Sequence, residues 1–235
     1  MSTQSNTLQP IKAMILAAGR GSRLRPLTDT IPKPLVPLCG KPLIEYHIEK
    51  LAQAGVTEVV INHAWLGHKI EQVLGNGARW GVTIHYSVEP EGGLETAGGI
   101  INALPLLGDA PFILINGDVY SDLPFEPLVA QAEKMRADVI QAYLMLVPSP
   151  EHNAKGDFGL TDSAQVTEQG EHTFAGISVL NPLLFAQMAV GFIPLAPILR
   201  SAMQRQQAYG ALYSGFWSDI GTLERLQQTE QQICK

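Results

Sequence analysis

Residues 11–26 read IKAMILAAGRGSRLRP, an apolar run that passes into a glycine-rich segment carrying arginines. The run Ile11–Ala18 predicts a buried strand, and Gly19 begins the loop that follows it. Backbone N–H groups in such a loop can approach a phosphate closely, and the arginines supply positive charge. Taken alone, the segment fits an anion site and a tight turn with solvated arginines equally well.

Two familiar phosphate-binding motifs do not match this region. A dinucleotide-binding G-x-G-x-x-G would need glycine at position 24, which is Leu24. A P-loop would need Ser or Thr after Gly40-Lys41, where Pro42 stands instead. A nicotinamide-dependent oxidoreductase is therefore disfavoured.

Predicted strands and helices alternate outward from this loop to residue 147, which indicates βαβ units and a mostly parallel α/β sheet. Further strands are expected at 58–61, 82–87, 111–115 and 139–147, and helices at 43–51, 66–74, 96–107 and 125–135. Short strand-like pieces at 158–160, 165–167 and 174–180 predict a small antiparallel appendage. A helix at 196–204, strands at 211–213 and 216–220, and a closing helix capped by Thr222 complete the chain. We predict a disordered tail at residues 1–10 and a single domain over residues 11–235.

Composition narrows the classes of function. The chain has 235 residues and a net charge of −6, which argues against nucleic acid or an anionic membrane as partner. It has neither an apolar run near ~20 residues nor a secretory signal, so we expect a cytoplasmic protein. Its two cysteines, Cys39 and Cys234, are expected to be free thiols, and His47 to be a packed, hydrogen-bonded residue on an apolar helix face.

Three charged residues occupy positions suited to phosphate chemistry. Lys33 lies between Pro32 and Pro34, which stiffen the backbone, and a preorganised cation stabilises charge in phosphoryl transfer. Asp118 follows a predicted strand and Asp219 lies near the end of another, and ligands bind at the carboxyl edge of such sheets. Mg²⁺ is usually held by one or two carboxylates together with substrate phosphates. Taken singly, Lys33 is also consistent with a lysine that only carries a solvated charge, and Asp118 and Asp219 are also consistent with aspartates in turns.

Together, these motifs resemble the sugar-1-phosphate nucleotidyltransferase family. The resemblance is carried by LAAGxGxRLxPLT at 16–28, PKPL at 32–35, GGLETAGG at 92–99, NGD at 116–118 and WxDIGT at 217–222. The stretches INHAWLG at 61–67 and TFAGISVL at 173–180 are most similar to one subgroup. That subgroup contains the uridylyltransferases that act on N-acetylmuramate α-1-phosphate in the recycling of the bacterial cell wall.

The resemblance implies a Rossmann-like, three-layer fold and a set of site residues. Arg23 and Lys33 would be catalytic by neutralising phosphate charge, Asp118 and Asp219 would hold Mg²⁺, and Gly159 and Gly176 would line the sugar site. The nucleotide would contact Ala17, Ala18, Gly19, Gly21, Ser22, Arg23, Lys33, Thr96, Ala97, Gly98 and Asn116.

One departure concerns the sugar phosphate. Many relatives grip it with a lysine that should fall within residues 161–173, and this stretch contains no lysine. Lys155 and Arg200 are the candidates to replace it.

The implied reaction joins a nucleoside triphosphate, UTP by resemblance, to a sugar 1-phosphate with release of pyrophosphate. A phosphate monoester is mostly ionised at pH 7, so no general base is required. Alternatives are glucose 1-phosphate with UTP or dTTP, mannose 1-phosphate with GTP, phosphocholine with CTP, or a catalytically silent nucleotide-sugar sensor. We expect a monomer or a simple homo-oligomer.

Overall fold

The computed structural model describes residues 9–234. Residues 1–8 of the predicted tail, and Lys235, lie outside this part of the chain. The strands are β1 Ala13–Leu16, β2 Pro37–Leu38, β3 Lys41–Pro42, β4 Glu58–His63, β5 Thr83–Val88, β6 Phe112–Asn116, β7 Val119–Ser121, β8 Ala142–Pro148, β9 Phe158–Leu160, β10 Val166–Leu180, β11 Ala208–Leu212 and β12 Trp217–Asp219. The α-helices are α1 Leu43–Gln53, α2 Gly67–Leu74, α3 Glu95–Leu107, α4 Glu126–Met135, α5 Ala196–Gln204 and α6 Leu223–Ile233.

One large mixed sheet forms the centre of the molecule. Its strand order is β11-β8-β10-β6-β1-β4-β5, with β9 paired to the outer part of β10. Strand β1 is parallel to both β4 and β6, and β10 is antiparallel to β6 and β8. This arrangement confirms the predicted α/β class and the mostly parallel sheet.

Strand β1 is apolar throughout because both of its faces are covered. Its alternate residues enter two separate cores, Ala13 and Ile15 on one face and Met14 on the other. Helices α1, α2 and α4 pack on the first face, and α3 and α5 on the second. The fold therefore has three layers, with the sheet in the middle.

A third, smaller cluster holds the glycine-rich loop to the end of the chain. It joins Leu24 of the loop and Val36 after the lysine segment to Ile220 and Leu226, at the start of the closing helix. Thr222 caps that helix, since its side chain accepts a hydrogen bond from the Arg225 backbone N–H at 3.2 Å. This cap confirms the predicted helix start and sets Arg225 in the first turn.

The region after residue 150 differs in part from expectation. The pieces predicted at 165–167 and 174–180 belong to one continuous strand, β10, whose second half enters the main sheet between β6 and β8. Its pairing register with β8 shifts between Phe174 and Ser178, and Gly176 there has φ of 71°. A glycine at positive φ lets the strand bend and continue, so its outer half forms the appendage with β9.

The prediction of free thiols is wrong for this structure. Cys39 and Cys234 form a disulfide, with Cα atoms 5.5 Å apart and a sequence separation of 195. Packing of α6 against the β2–β3 hairpin brings them together, and Glu230 accepts a hydrogen bond from the Cys39 backbone N–H at 3.2 Å. In residues 9–234 there is no helix both long and apolar enough to cross a membrane.

Candidate active site

A cavity of about 960 Å³ lies where β1, β4 and β6 end. These strands are parallel, so their carboxyl ends share one edge of the sheet, where ligands bind in open α/β folds. Most of the predicted nucleotide-binding residues line it, namely Ala17, Ala18, Gly19, Gly21, Ser22, Arg23, Lys33, Thr96 and Asn116. The lining also includes Asp118 and Gly221.

The glycine-rich loop packs closely against the lysine segment. Gly21 has φ of 68°, and a Cβ atom added there would lie 3.0 Å from the Thr28 methyl carbon and 3.1 Å from Cβ of Lys33. Thr28 Oγ1 also donates a hydrogen bond to the Gly21 carbonyl at 2.8 Å. Glycine is therefore required here both for the backbone conformation and for the close approach of two segments.

The arginines of this loop have different surroundings. Arg20 stacks on Trp65 at 3.7 Å from the ring centroid and donates to Asp29 at 2.9 Å, and Arg25 also pairs with Asp29. The Arg23 side chain makes no hydrogen bond or ion pair with any other described residue. Arg23 is thus the loop arginine available to an anion in the cavity.

Lys33 and Asp118 form an ion pair across the floor of the cavity. Lys33 Nζ lies 2.5 Å from Asp118 Oδ2, with the side chains 12% and 34% exposed. Lys33 begins a short 3₁₀ turn after Pro32, and Asp118 follows β6, so two rigid segments set the pair. A lysine held in this way needs no reordering when a phosphate enters.

A buried histidine lies near this pair. His47 is 3% exposed on α1 and its ring stacks on Phe125 at 6.5 Å between centroids. Burial, and then the charge of Lys50, lower the pKa of His47 to about 4, against smaller opposing effects from Val119 and Asp118. The ring is therefore neutral at pH 7. Its predicted packing is confirmed, whereas Nε2 is buried without a hydrogen-bond partner among the described residues.

Asp219, the last residue of β12, lies beside Asp118, which comes just before β7, but the Asp219 carboxylate has other partners. Strands β7 and β12 are antiparallel, and the Ile220 N–H donates to the Asp118 carbonyl at 2.7 Å. Asp219 Oδ2 lies 3.1 Å from Arg225 Nη1, and Oδ1 lies 3.0 Å from His152 Nε2 without hydrogen-bond geometry. Asp219 lines a second cavity, of about 430 Å³, together with His152 and Arg225.

These two carboxylates fit a divalent cation by their chemistry. Residues 9–234 contain no cluster of three or more His, Cys, Asp or Glu side chains that could enclose a metal by itself. Asp219 Oδ1 is buried and accepts no hydrogen bond in the described chain, and its near neighbour is His152 Nε2 at 3.0 Å. Two carboxylates that leave the other positions to phosphate and water suit Mg²⁺.

Two buried residues of the cavity lining, Asn62 and Glu89, were not predicted from the sequence. Asn62 accepts from the Ala17 backbone N–H at 2.8 Å and donates to Glu89 at 2.6 Å. Glu89 also accepts from the Leu94 backbone N–H at 2.8 Å. This network ties the end of β1 to the segment before α3. The signal available in the sequence was Asn62 itself, a polar residue near the end of an apolar strand.

Some predicted residues lie outside the cavity lining. The backbone N–H groups of Ala97 and Gly98 donate to the Ile193 carbonyl, at 2.9 and 3.1 Å. Gly159 packs against β10, close to Gln169, whereas Gly176 lies beside the cavity, where an added Cβ would be 2.7 Å from Asn116 Nδ2. The candidates Lys155 and Arg200 are exposed and line neither cavity. Contacts of all these residues with substrates stay predictions.

Comparison with known proteins links this geometry to a family. The family model described as Nucleotidyl transferase matches residues 12–171. The chain is 49% identical to an N-acetylmuramate alpha-1-phosphate uridylyltransferase from Neisseria meningitidis serogroup B, covering 94% of this chain and 97% of that protein. It is 33% identical to a mannose-1-phosphate guanyltransferase from Hypocrea jecorina, covering 90% of this chain and 61% of that protein.

Solved structures show the same fold at low identity. A structure described as a glucose-1-phosphate thymidylyltransferase from Bacillus anthracis superposes with a TM-score of 0.83 at 23% identity, covering 94% of both chains. A UDP-glucose pyrophosphorylase complexed with UDP-glucose gives a TM-score of 0.74 at 19% identity, covering 95% of this chain and 98% of the other. These likenesses confirm the predicted three-layer fold.

Proposed function

The chain belongs to the nucleotidyl transferase family, as a sugar-1-phosphate nucleotidyltransferase, and from this we propose that it joins UTP to N-acetylmuramate α-1-phosphate. The products are UDP-N-acetylmuramate and pyrophosphate. The observation that carries the choice of substrates is the 49% identity to the uridylyltransferase, which extends over 94% of this chain and 97% of the relative.

The reaction exchanges one P–O bond for another. An oxygen of the sugar phosphate attacks the α-phosphorus of UTP, the bond from that phosphorus to the β-phosphate oxygen breaks, and pyrophosphate leaves with the electron pair. Because the attacking phosphate is already ionised at pH 7, no side chain has to remove a proton. Catalysis then depends on positioning and on compensating phosphate charge.

The proposed roles follow from the positions of the charged groups. Arg23 and the glycine-rich loop face the cavity and would bind the triphosphate, and Lys33 would stabilise negative charge at the reacting phosphorus. Asp118 and Asp219 would hold Mg²⁺, which when bound would neutralise and orient the phosphates. Asn62 and Glu89 would keep the nucleotide-binding segments in place.

We place the reaction in the cytoplasm, where nucleoside triphosphates are made, and in the reuse of cell-wall sugars. The Cys39–Cys234 disulfide stands against that location, because disulfides are rare in reducing compartments.

A second candidate is transfer of a guanylyl group to mannose 1-phosphate. It is favoured by the 33% identity to the mannose-1-phosphate guanyltransferase, although this chain covers only 61% of that protein.

The test is pyrophosphate release from each of the four NTPs with N-acetylmuramate, glucose or mannose 1-phosphate, with Mg²⁺ and with EDTA. We expect turnover with UTP and N-acetylmuramate 1-phosphate that EDTA abolishes. Strong turnover with another pair would refute the proposed substrates. Lack of turnover by folded protein that still binds a nucleotide would favour the silent sensor.

A further inference from the structure

Two guanidinium groups converge at Gly221, on the edge of the active-site cavity. Arg23 and Gly221 both line that cavity, whereas Arg225 lines the neighbouring second cavity together with Asp219. A Cβ atom added to Gly221 would overlap Nη2 of Arg225 and lie 3.1 Å from Nη2 of Arg23. The two side chains reach this point from distant parts of the chain, Arg23 from the glycine-rich loop and Arg225 from the first turn of α6.

Arg225 is largely buried, and its donors are only partly satisfied. Its side chain is 14% exposed, and Nη1 pairs with Asp219 at 3.1 Å. The Nε and Nη2 atoms are shielded from solvent and have no hydrogen-bond partner among the described residues. Burying unpaired donors of a charged group is unfavourable, and an acceptor beside these two atoms would remove that cost.

The charges around Gly221 indicate that this acceptor is an anion. Arg23 has no ion-pair partner within residues 9–234, and two like charges near one point repel each other. An anion between them would offset the repulsion and satisfy the buried donors. Guanidinium groups match phosphate especially well, because two N–H groups can donate in parallel to two oxygens.

We propose that Arg225, together with Arg23, binds a phosphate group of a substrate beside Gly221. This inference rests on the proposed function and supplies a cation that the stretch 161–173 lacks. The phosphate has two possible sources, the sugar 1-phosphate and the β- and γ-phosphates of the nucleotide that leave as pyrophosphate. The simpler reading, in which Arg225 only holds Asp219 in place, predicts different kinetics.

The experiment uses three variants of the whole chain. Arg225→Gln removes the charge, and Arg225→Lys keeps the charge but loses the forked donors. Arg79→Gln is the matched control, because Arg79 pairs with Glu45 at 2.7 Å and lines neither cavity. Circular dichroism checks folding, and if Arg225→Gln does not fold, Arg225→Lys carries the comparison. Steady-state KM and kcat are measured for each substrate in turn, and calorimetry measures the binding of pyrophosphate and of the sugar 1-phosphate alone.

Loss of a charge-assisted contact should weaken the binding of one of the two ligands by about 10- to 100-fold in Arg225→Gln, and Arg225→Lys should show an intermediate loss of affinity. If the nucleotide is the source, the KM for UTP rises and pyrophosphate binds more weakly. If the sugar phosphate is the source, its KM and affinity change and pyrophosphate binding is preserved. Arg79→Gln should match the wild type in every measurement.

A different pattern would overturn the inference. If both KM values and both affinities are unchanged in Arg225→Gln, while kcat falls and more Mg²⁺ is needed, then Arg225 acts only through Asp219. If wild-type protein shows neither turnover nor binding of either ligand, the proposed function itself fails. The calorimetric titrations require no turnover, so the two failures are distinguishable.

Discussion

The substitution Gly176→Ala tests whether the bend in β10 positions a cavity residue. Gly176 has φ of 71°, and a Cβ there would lie 2.7 Å from Nδ2 and 2.9 Å from Cγ of Asn116. The left-handed backbone conformation should lower the free energy of unfolding of the alanine variant by about 1–2 kcal/mol. The extra volume in a packed site should lower it by roughly a further 1–3 kcal/mol. Because Asn116 lines the cavity, its displacement should lower kcat/KM by up to about 10²-fold.

Gly55→Ala is the matched control for the backbone contribution. Gly55 has φ of 83°, and an added Cβ would meet nothing within 4 Å. The free energy of unfolding of Gly55→Ala should therefore fall only by the backbone contribution of about 1–2 kcal/mol, and this variant should keep full activity. Urea unfolding gives the free energies, and pyrophosphate release gives kcat/KM. If Gly176→Ala is as active as Gly55→Ala, the reasoning that links Gly176 to the site through Asn116 is refuted.

Three further predictions concern the metal site, pH and the disulfide. Asp118→Asn should reduce turnover at least ~10²-fold, and near-normal turnover by folded protein would exclude Asp118 as a metal ligand. The pKa of buried His47 is lowered from 6.5 to about 4, so its contribution to stability is complete above pH 6.5 and is lost as pH falls toward 4. Protonation of His47 in the unfolded chain should make the free energy of unfolding about 2 kcal/mol lower at pH 5 than at neutral pH. Urea titrations should therefore show a weaker pH dependence of stability in His47→Phe than in the wild type. An equal pH dependence of stability in the wild type and in His47→Phe would contradict this role of His47. Reduction with dithiothreitol, or Cys39→Ser, should lower the free energy of unfolding by about 2–4 kcal/mol, and unchanged stability would show that the bond to Cys234 contributes nothing.

The local motifs predicted much of the fold and of the candidate site. The buried strand before Gly19, the stiff Lys33 segment and the Asp118 position are local features, because each depends on a few neighbouring residues and on hydrophobic period. They predicted that ligands would bind at the carboxyl edge of the sheet, and a cavity lies at that edge. The metal ligands and the sugar-binding glycines stay predictions, as does the single domain.

Other features depended on contacts between distant segments. Asn62 and Glu89 are 27 residues apart in sequence, and the residues around each do not predict that the two side chains meet. Cys39 and Cys234 likewise gave no spacing signal. The continuity of β10 depended on a register shift at Gly176, which period alone does not reveal.

The sequence by itself determined the α/β class, the order of the elements and the glycine-rich loop that lines the cavity. These follow from apolar periodicity and from the backbone preferences of glycine and proline, which act locally. Only the tertiary structure decided which charges meet, including Lys33 with Asp118 and Arg23 near Arg225. The reason is physical: these groups lie on separate segments, and the packing of the sheet and of α6 brings them within a few ångströms of one another.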